Sequence, residues 1–212
     1  MTAPRRRWLP FLGIATLIVG VEIAIWIAGQ TTGAPGRLRL WLIEYLGFWP
    51  GLMGDWQSNF RLQPVTMFAT YWVVHGGLVH LLGNLGGLVW LGARLAPDLR
   101  PLETCEIWAA SVMGGAIVFA LLHTGSAAMI GASGGVFGLL GAWAVFDHRE
   151  TRRRTSLRRA ALRSAGICIA VLLLSVLDAA LRQSALAWQA HLGGFLAGAA
   201  LAATMETDPV AP

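Results

Sequence analysis

Along the chain, long apolar runs alternate with short polar breaks, and the runs have the length of helices that cross a bilayer. A span needs about 20 apolar residues, or fewer where its surroundings thin the membrane. Six stretches are expected to span: residues 8–28, 78–95, 103–123, 133–146, 165–181 and 188–205. Between the first two lies segment 29–77, too aromatic for an ordinary linker, with Trp41, Tyr45, Phe48, Trp49, Trp56, Phe60 and Trp72. Residues 37–48 within it carry a helical apolar stripe. Such a segment is expected in the membrane interface, where aromatic rings favour the headgroup level. No Pro/Ser-rich linker divides the chain, so the pattern predicts one all-α membrane domain over residues 1–212.

Composition agrees. The chain is 56% hydrophobic and 13% charged, with a mean hydropathy of +0.60, whereas soluble domains carry about 25% charged residues. A net charge of +5 could suggest nucleic acid, but cytoplasmic loops of membrane proteins collect positive charge, so the expected partner is the lipid bilayer and no nucleic acid. Every one of the 16 basic residues is arginine. A cytoplasmic N-terminus puts Arg5, Arg6, Arg7, Arg94, Arg100 and the cluster from Arg149 to Arg163 inside, against Arg37, Arg39, Arg61 and Arg182 outside. That asymmetry predicts both termini in the cytoplasm. Arg5-Arg6-Arg7 before an apolar run imitates a signal peptide, but the run of about 21 residues exceeds a 7–15-residue h-region and reads as a span. Cys105 and Cys168 lack CxxC spacing, which argues against a disulfide framework or metal site, and both are expected to pack as small apolar groups.

Polar residues within spans are costly and usually functional. They include Glu22, His80, Asn84, Ser133, Ser175, Asp178 and His191. Asp178 lies four residues before Arg182, which suggests a local ion pair; Glu22 has no evident partner and reads as a structural hydrogen-bonding group. Three patches remain, each near the outer end of its helix: Gly131-Ala132-Ser133-Gly134, Ala190-His191-Leu192-Gly193-Gly194 and His80-Leu81-Leu82-Gly83-Asn84. From Ser133 to Phe146 a helix would be about 21 Å long, shorter than a hydrocarbon core of about 30 Å. Ser133 is therefore expected to lie roughly 10 Å below the outer surface, with loop 124–132 dipping inward to meet it.

Serine needs a base to take its proton, and a neutral histidine is the usual one. Gly134 and Gly138, and likewise Gly194 and Gly198, form GxxxG spacings that would let the fourth and sixth spans approach. The N–H groups of a helix start at Ser133 could stabilise an oxyanion. His80 and Asn84 share a helix face and could donate to the same cavity. No carboxylate falls at the depth of His191, so a dyad fits better than a triad. His75 and His80 face differently and make a poor metal pair; no metal or other cofactor is expected. A GxSG, a GxxxG or a lone buried histidine is each common in membrane helices, so only the conjunction carries weight.

The segments HGGLVHLLGN (75–84), GASGGVFGLLGA (131–142) and AHLGGFLAG (190–198) resemble, in order, spacing and placement, the rhomboid intramembrane serine proteases, from about Gln63 to Ala203. The resemblance implies a six-transmembrane-helix rhomboid bundle with a membrane-embedded first loop and a core catalytic region over 63–205, in a bacterial inner membrane. It implies Ser133 as nucleophile, His191 as general base, and His80, Asn84 and the Ser133 N–H as oxyanion hole, supported by Gly131, Gly134, Phe137, Gly194 and Gly198. Substrates would be single-span membrane proteins, entering beside the fifth span. Two differences stand out. Residues 63–67 lack the Trp-Arg pair of many members, and Phe137 stands where some carry a tyrosine beneath the histidine. The alternatives are a catalytically inactive rhomboid-like protein that binds membrane helices for quality control, expected to lack Ser133 or His191, and a transporter or channel, for which no inverted repeat or ring of ionisable residues is visible.

Overall fold

The computed structural model describes residues 3–34, 36–182 and 187–205. Among these the chain is helical: α1 (Ala3–Arg7), α2 (Leu9–Thr32), α3 (Arg37–Leu46), α4 (Gln63–Thr70), α5 (Leu78–Leu95), α6 (Pro101–Leu122), α7 (Ser133–Arg154), α8 (Leu157–Arg182) and α9 (Trp188–Thr204). The extended pairing among the described residues is one isolated bridge, Phe48 with Met129. Arg5–Thr32, Leu78–Leu95 and Pro101–Leu122 are long and apolar enough to cross a membrane.

Helix starts follow the chemistry of orphaned N–H groups. Pro101 opens α6, where its missing N–H is no loss. Glu103 Oε2 accepts the Arg100 N–H at 2.7 Å, reaching back from the third helical position. The fourth and fifth apolar runs are shorter than the helices that carry them. The run ending at Phe146 lies in a helix that continues to Arg154, and α8 starts at Leu157 rather than at residue 165. Nothing in 147–154 is Gly or Pro, so the helix has no reason to stop where the apolar run does. The two polar extensions are joined by Arg163 with Asp147 (2.6 Å) and His148 with Ser164 (2.9 Å). The pairing expected between Asp178 and Arg182 falls on side chains outside those described, as does Ser175.

α6, α7 and α9 form the centre, held together by glycine. A Cβ on Gly194 would collide with the Gly134 carbonyl, and one on Gly198 with the Gly138 carbonyl. The constant offset makes α7 and α9 parallel. Gly193 meets Gly114 of α6 in the same way. With no hydrophobic drive between helices in lipid, such close backbone contact is what holds them. α2 lies outside this centre and exposes Leu12, Leu17, Ile23, Trp26 and Ile27, a surface suited to acyl chains. Cys105 and Cys168, expected to pack as small apolar groups, are free thiols exposed on their helices. Period alone places an apolar residue on a face but does not say whether protein or lipid covers it.

Segment 29–77 has its own internal order beyond an interfacial stripe. Trp41 stacks on Tyr45, with centroids 4.6 Å apart. Gln63, fully buried, donates to the Glu44 carbonyl (2.7 Å) and accepts the Asn59 N–H (2.8 Å). Phe48, Met67, Tyr71 and Val74 are buried in the common core, so this loop wall is part of the body that holds the centre.

Candidate active site

Ser133 is the first residue of α7, and His191 lies in the first turn of α9. Because these helices run parallel in near backbone contact, the two side chains meet at the same level. His191 Nε2 is 2.9 Å from Ser133 Oγ. Phe137, one turn below Ser133, lays its ring on the imidazole, with centroids 4.0 Å apart and planes 7° from parallel. His191 is buried. With its proton on Nδ1, Nε2 accepts from the serine hydroxyl, the arrangement in which a histidine activates a nucleophile.

The turn leading into Ser133 is fixed by four hydrogen bonds. Met129 and Phe48 exchange two backbone hydrogen bonds, each 2.9 Å. The Gly131 N–H donates to the Tyr71 carbonyl (3.0 Å) and the Ala132 N–H to His75 Nε2 (3.3 Å). The helix start leaves the next N–H, that of Ser133, without an intrahelical acceptor. Gly131 has φ +107°, which L side chains rarely adopt. The Cε1–Nε2 edge of His80 also occupies the place where its Cβ would be. Conformation and space both demand glycine there.

His80 thus lies over the turn that presents Ser133. Its Nδ1 accepts the Gly76 N–H at 3.3 Å, so a neutral His80 carries its proton on Nε2, on the edge facing Gly131. Asn84, one turn further along α5, is buried and donates to the His80 carbonyl at 2.9 Å. A primary amide has two N–H groups, so this leaves one donor. Among the described residues no group of three His, Cys, Asp or Glu is placed to hold a metal ion. The His75 and His80 rings meet edge to face at 5.0 Å, each with one ring nitrogen receiving a backbone N–H.

Three residues of this surround are not singled out by the sequence. In the sequence His75 reads only as half of a poor metal pair, yet it is fully buried and grips the residue before Ser133. Tyr71 is fully buried against Gly115 and Gly134, its hydroxyl on the Val112 carbonyl at 3.0 Å. Arg39 pairs with Glu22, the acid for which the sequence offers no evident partner. The signal for His75 lies in HGGLVHLLGN itself; nothing in the sequence marks Tyr71 or Arg39 apart from the other aromatic and basic residues of the loop.

A helical membrane protein with a serine and a histidine in contact at glycine-packed helix starts is the class that these features define. The model of the rhomboid domain matches residues 62–207. RHOMBOID-like protein 5 of Arabidopsis thaliana is 32% identical over 91 residues, 39% of this chain and 29% of that protein. RHOMBOID-like protein 4 of the same plant is 33% identical over 84 residues, 36% of this chain and 21% of that protein. Rhomboid-related protein 2 of Mus musculus is 32% identical over 76 residues, 36% of this chain and 25% of that protein. The matches therefore span less than a third of the length of these relatives. The chain belongs to the rhomboid family.

Proposed function

We propose that this protein is an intramembrane serine endopeptidase that cleaves peptide bonds in or near the transmembrane segments of single-span membrane proteins. The observation that carries the reading is the 2.9 Å contact between Ser133 Oγ and His191 Nε2 at the starts of two parallel helices. Ser133 Oγ attacks the scissile carbonyl carbon as His191 Nε2 takes its proton. The oxyanion is received by the Ser133 N–H, His80 Nε2–H and the second amide hydrogen of Asn84. Collapse of the tetrahedral adduct breaks the C–N bond, and His191 returns the proton to the leaving amine. Water then hydrolyses the acyl-enzyme with the same base. Phe137 keeps the imidazole plane in register. No cofactor takes part in any step.

The setting that goes with this chemistry is a bundle of six spans in a bacterial inner membrane, both termini cytoplasmic and segment 29–77 embedded at the outer side. The arginine distribution supports that orientation. Substrate would approach beside α8. An inactive helix-binding rhomboid would need neither the serine nor the histidine, and this chain has both.

The test is to incubate the purified full chain with a panel of single-span substrates, beside Ser133→Ala. Cleavage by the wild type alone, with a fluorophosphonate probe attached at Ser133, supports the reading; equal cleavage by Ser133→Ala retires it.

A further inference from the structure

The partly buried ion pair between α2 and α3 is linked through a single residue to the nucleophile turn. Arg39 Nη2 contacts Glu22 Oε1, and Nη1 donates to Glu22 Oε2 at 3.2 Å. The same Nη1 also donates to the His75 carbonyl. The side chains of Arg39 and Glu22 are only 22% and 13% exposed. They line a cavity of about 520 Å³ whose other walls include Ile23, Trp26, Leu78 and Leu81. Charges in such surroundings lose hydration, and a pair of this kind is weak support for stability. A fork that spends two donors on one carboxylate and still reaches a backbone carbonyl is suited to fixing a position instead.

What it fixes is His75. The residue is clamped from both ends, its carbonyl by Arg39 and its ring nitrogen by the Ala132 N–H at 3.3 Å. Ala132 immediately precedes Ser133. We propose that Glu22 and Arg39 are positioning residues for the nucleophile, acting through His75 to set the turn that presents Ser133 to His191. The inference rests on the proteolytic reading above and adds to it that α2, which contributes no side chain to the dyad, tunes the chemistry. A misplacement of about 1 Å at a reacting atom can lower a rate on the order of 10²-fold. Relaxing this chain should therefore slow reaction at Ser133 without weakening the lateral contacts that bind substrate.

The experiment compares wild type, Glu22→Gln, Arg39→Gln, Arg39→Lys and the double Gln variant as full chains in detergent, with rates taken per monodisperse folded enzyme. Turnover, KM, the rate of fluorophosphonate reaction at Ser133 and Tm are measured together. We expect turnover and probe reaction to fall roughly 10- to 100-fold with KM nearly unchanged. The double variant should be no slower than the slower single one, and Arg39→Lys should recover part of the rate as a cation without the fork. Wild-type probe reaction in folded Glu22→Gln and Arg39→Gln overturns the proposal, whatever happens to Tm. Should Arg39→Gln not fold, the near-isosteric Glu22→Gln decides by the same two outcomes. A wild type that neither cleaves nor takes the probe would instead retire the proteolytic reading, and this one with it.

Discussion

The carbonyl of Gly134 sits where a Cβ on Gly194 would have to be. Gly134 follows Ser133 directly, and Gly194 lies one helical turn beyond His191, so the closest approach of the two helices is also what sets the distance between serine and histidine. Any side chain at 194 has only backbone to push against, and backbone cannot swing away as a side chain would.

Gly194→Ala should therefore act at once on packing and on chemistry. Overpacking a tight interface costs about 1–3 kcal/mol, and the outward shift of α9 separates the dyad. We expect a lower Tm together with slowed fluorophosphonate reaction in the fraction that remains folded. Gly20→Ala in α2 is the control, since a Cβ there meets nothing within 4 Å. Equal probe reaction in the two variants would show that the contact does not govern the dyad.

Ser133→Ala and His191→Ala should each abolish cleavage, and the double variant should be no worse, because residues that act as a unit are not additive. Product analysis on a purified substrate checks this. A double variant markedly slower than either single one would mean that the two work separately.

Much of the fold and of the site is legible in the amino-acid sequence, and the legible part has a common physical cause. α5 begins and ends where the apolar run does, at Leu78 and Leu95, because a change of solvent writes itself into composition. The GxxxG spacings at 134 and 138, and at 194 and 198, are readable because close approach excludes every larger residue; which glycine meets which is given by the packing. His75 is marked only by its place in HGGLVHLLGN, which does not tell its role, and Tyr71 is not marked at all, since a buried side chain that packs under a glycine needs no special neighbour in sequence. Nor is Glu22 with Arg39, whose partnership depends on how α3 folds back on α2. The length of α7 misleads for a different reason: the apolar run measures contact with lipid, while the helix ends where its backbone bonding does.

Activity should survive EDTA and phenanthroline, because each step proposed above is carried by side chains and backbone of this chain. Inhibition reversed by added zinc would send attention back to His75 and His80.

Asp98, in the turn between α5 and α6, is half-buried, and that burial raises its carboxyl from its ordinary value, with Arg7 pulling it down and Glu150 adding to the rise. A raised acid favours its protonated form in the folded state. The stability it allows is fully present at pH below the unfolded value and is lost as pH rises through the folded one. Asp98→Asn should thus raise Tm at neutral pH by roughly 1–3 °C, with the difference shrinking toward acid. Melting curves across the acidic range decide it, and a stabilisation that grows on acidification would reverse the sign of the argument.

The sharpest separation of chemistry from architecture is available at Asn84. Its amide donates one hydrogen to the His80 carbonyl at 2.9 Å; the proposed role belongs to the other hydrogen, which would reach the oxyanion only when that charge exists. An interaction made only in the transition state lowers turnover when removed and leaves substrate binding nearly untouched. The loss of one oxyanion donor typically costs about 10²–10³ in rate. The Ser133 N–H and His80 would still act, so Asn84→Ala should be slow yet measurably active, unlike either dyad variant. If Asn84 only ties α5 together, the same substitution lowers Tm and leaves the turnover of the surviving folded protein near normal. Turnover and Tm measured on one detergent-purified sample distinguish the two, and a large fall in Tm with unchanged turnover would remove Asn84 from the oxyanion site while leaving Ser133 and His191 where they are.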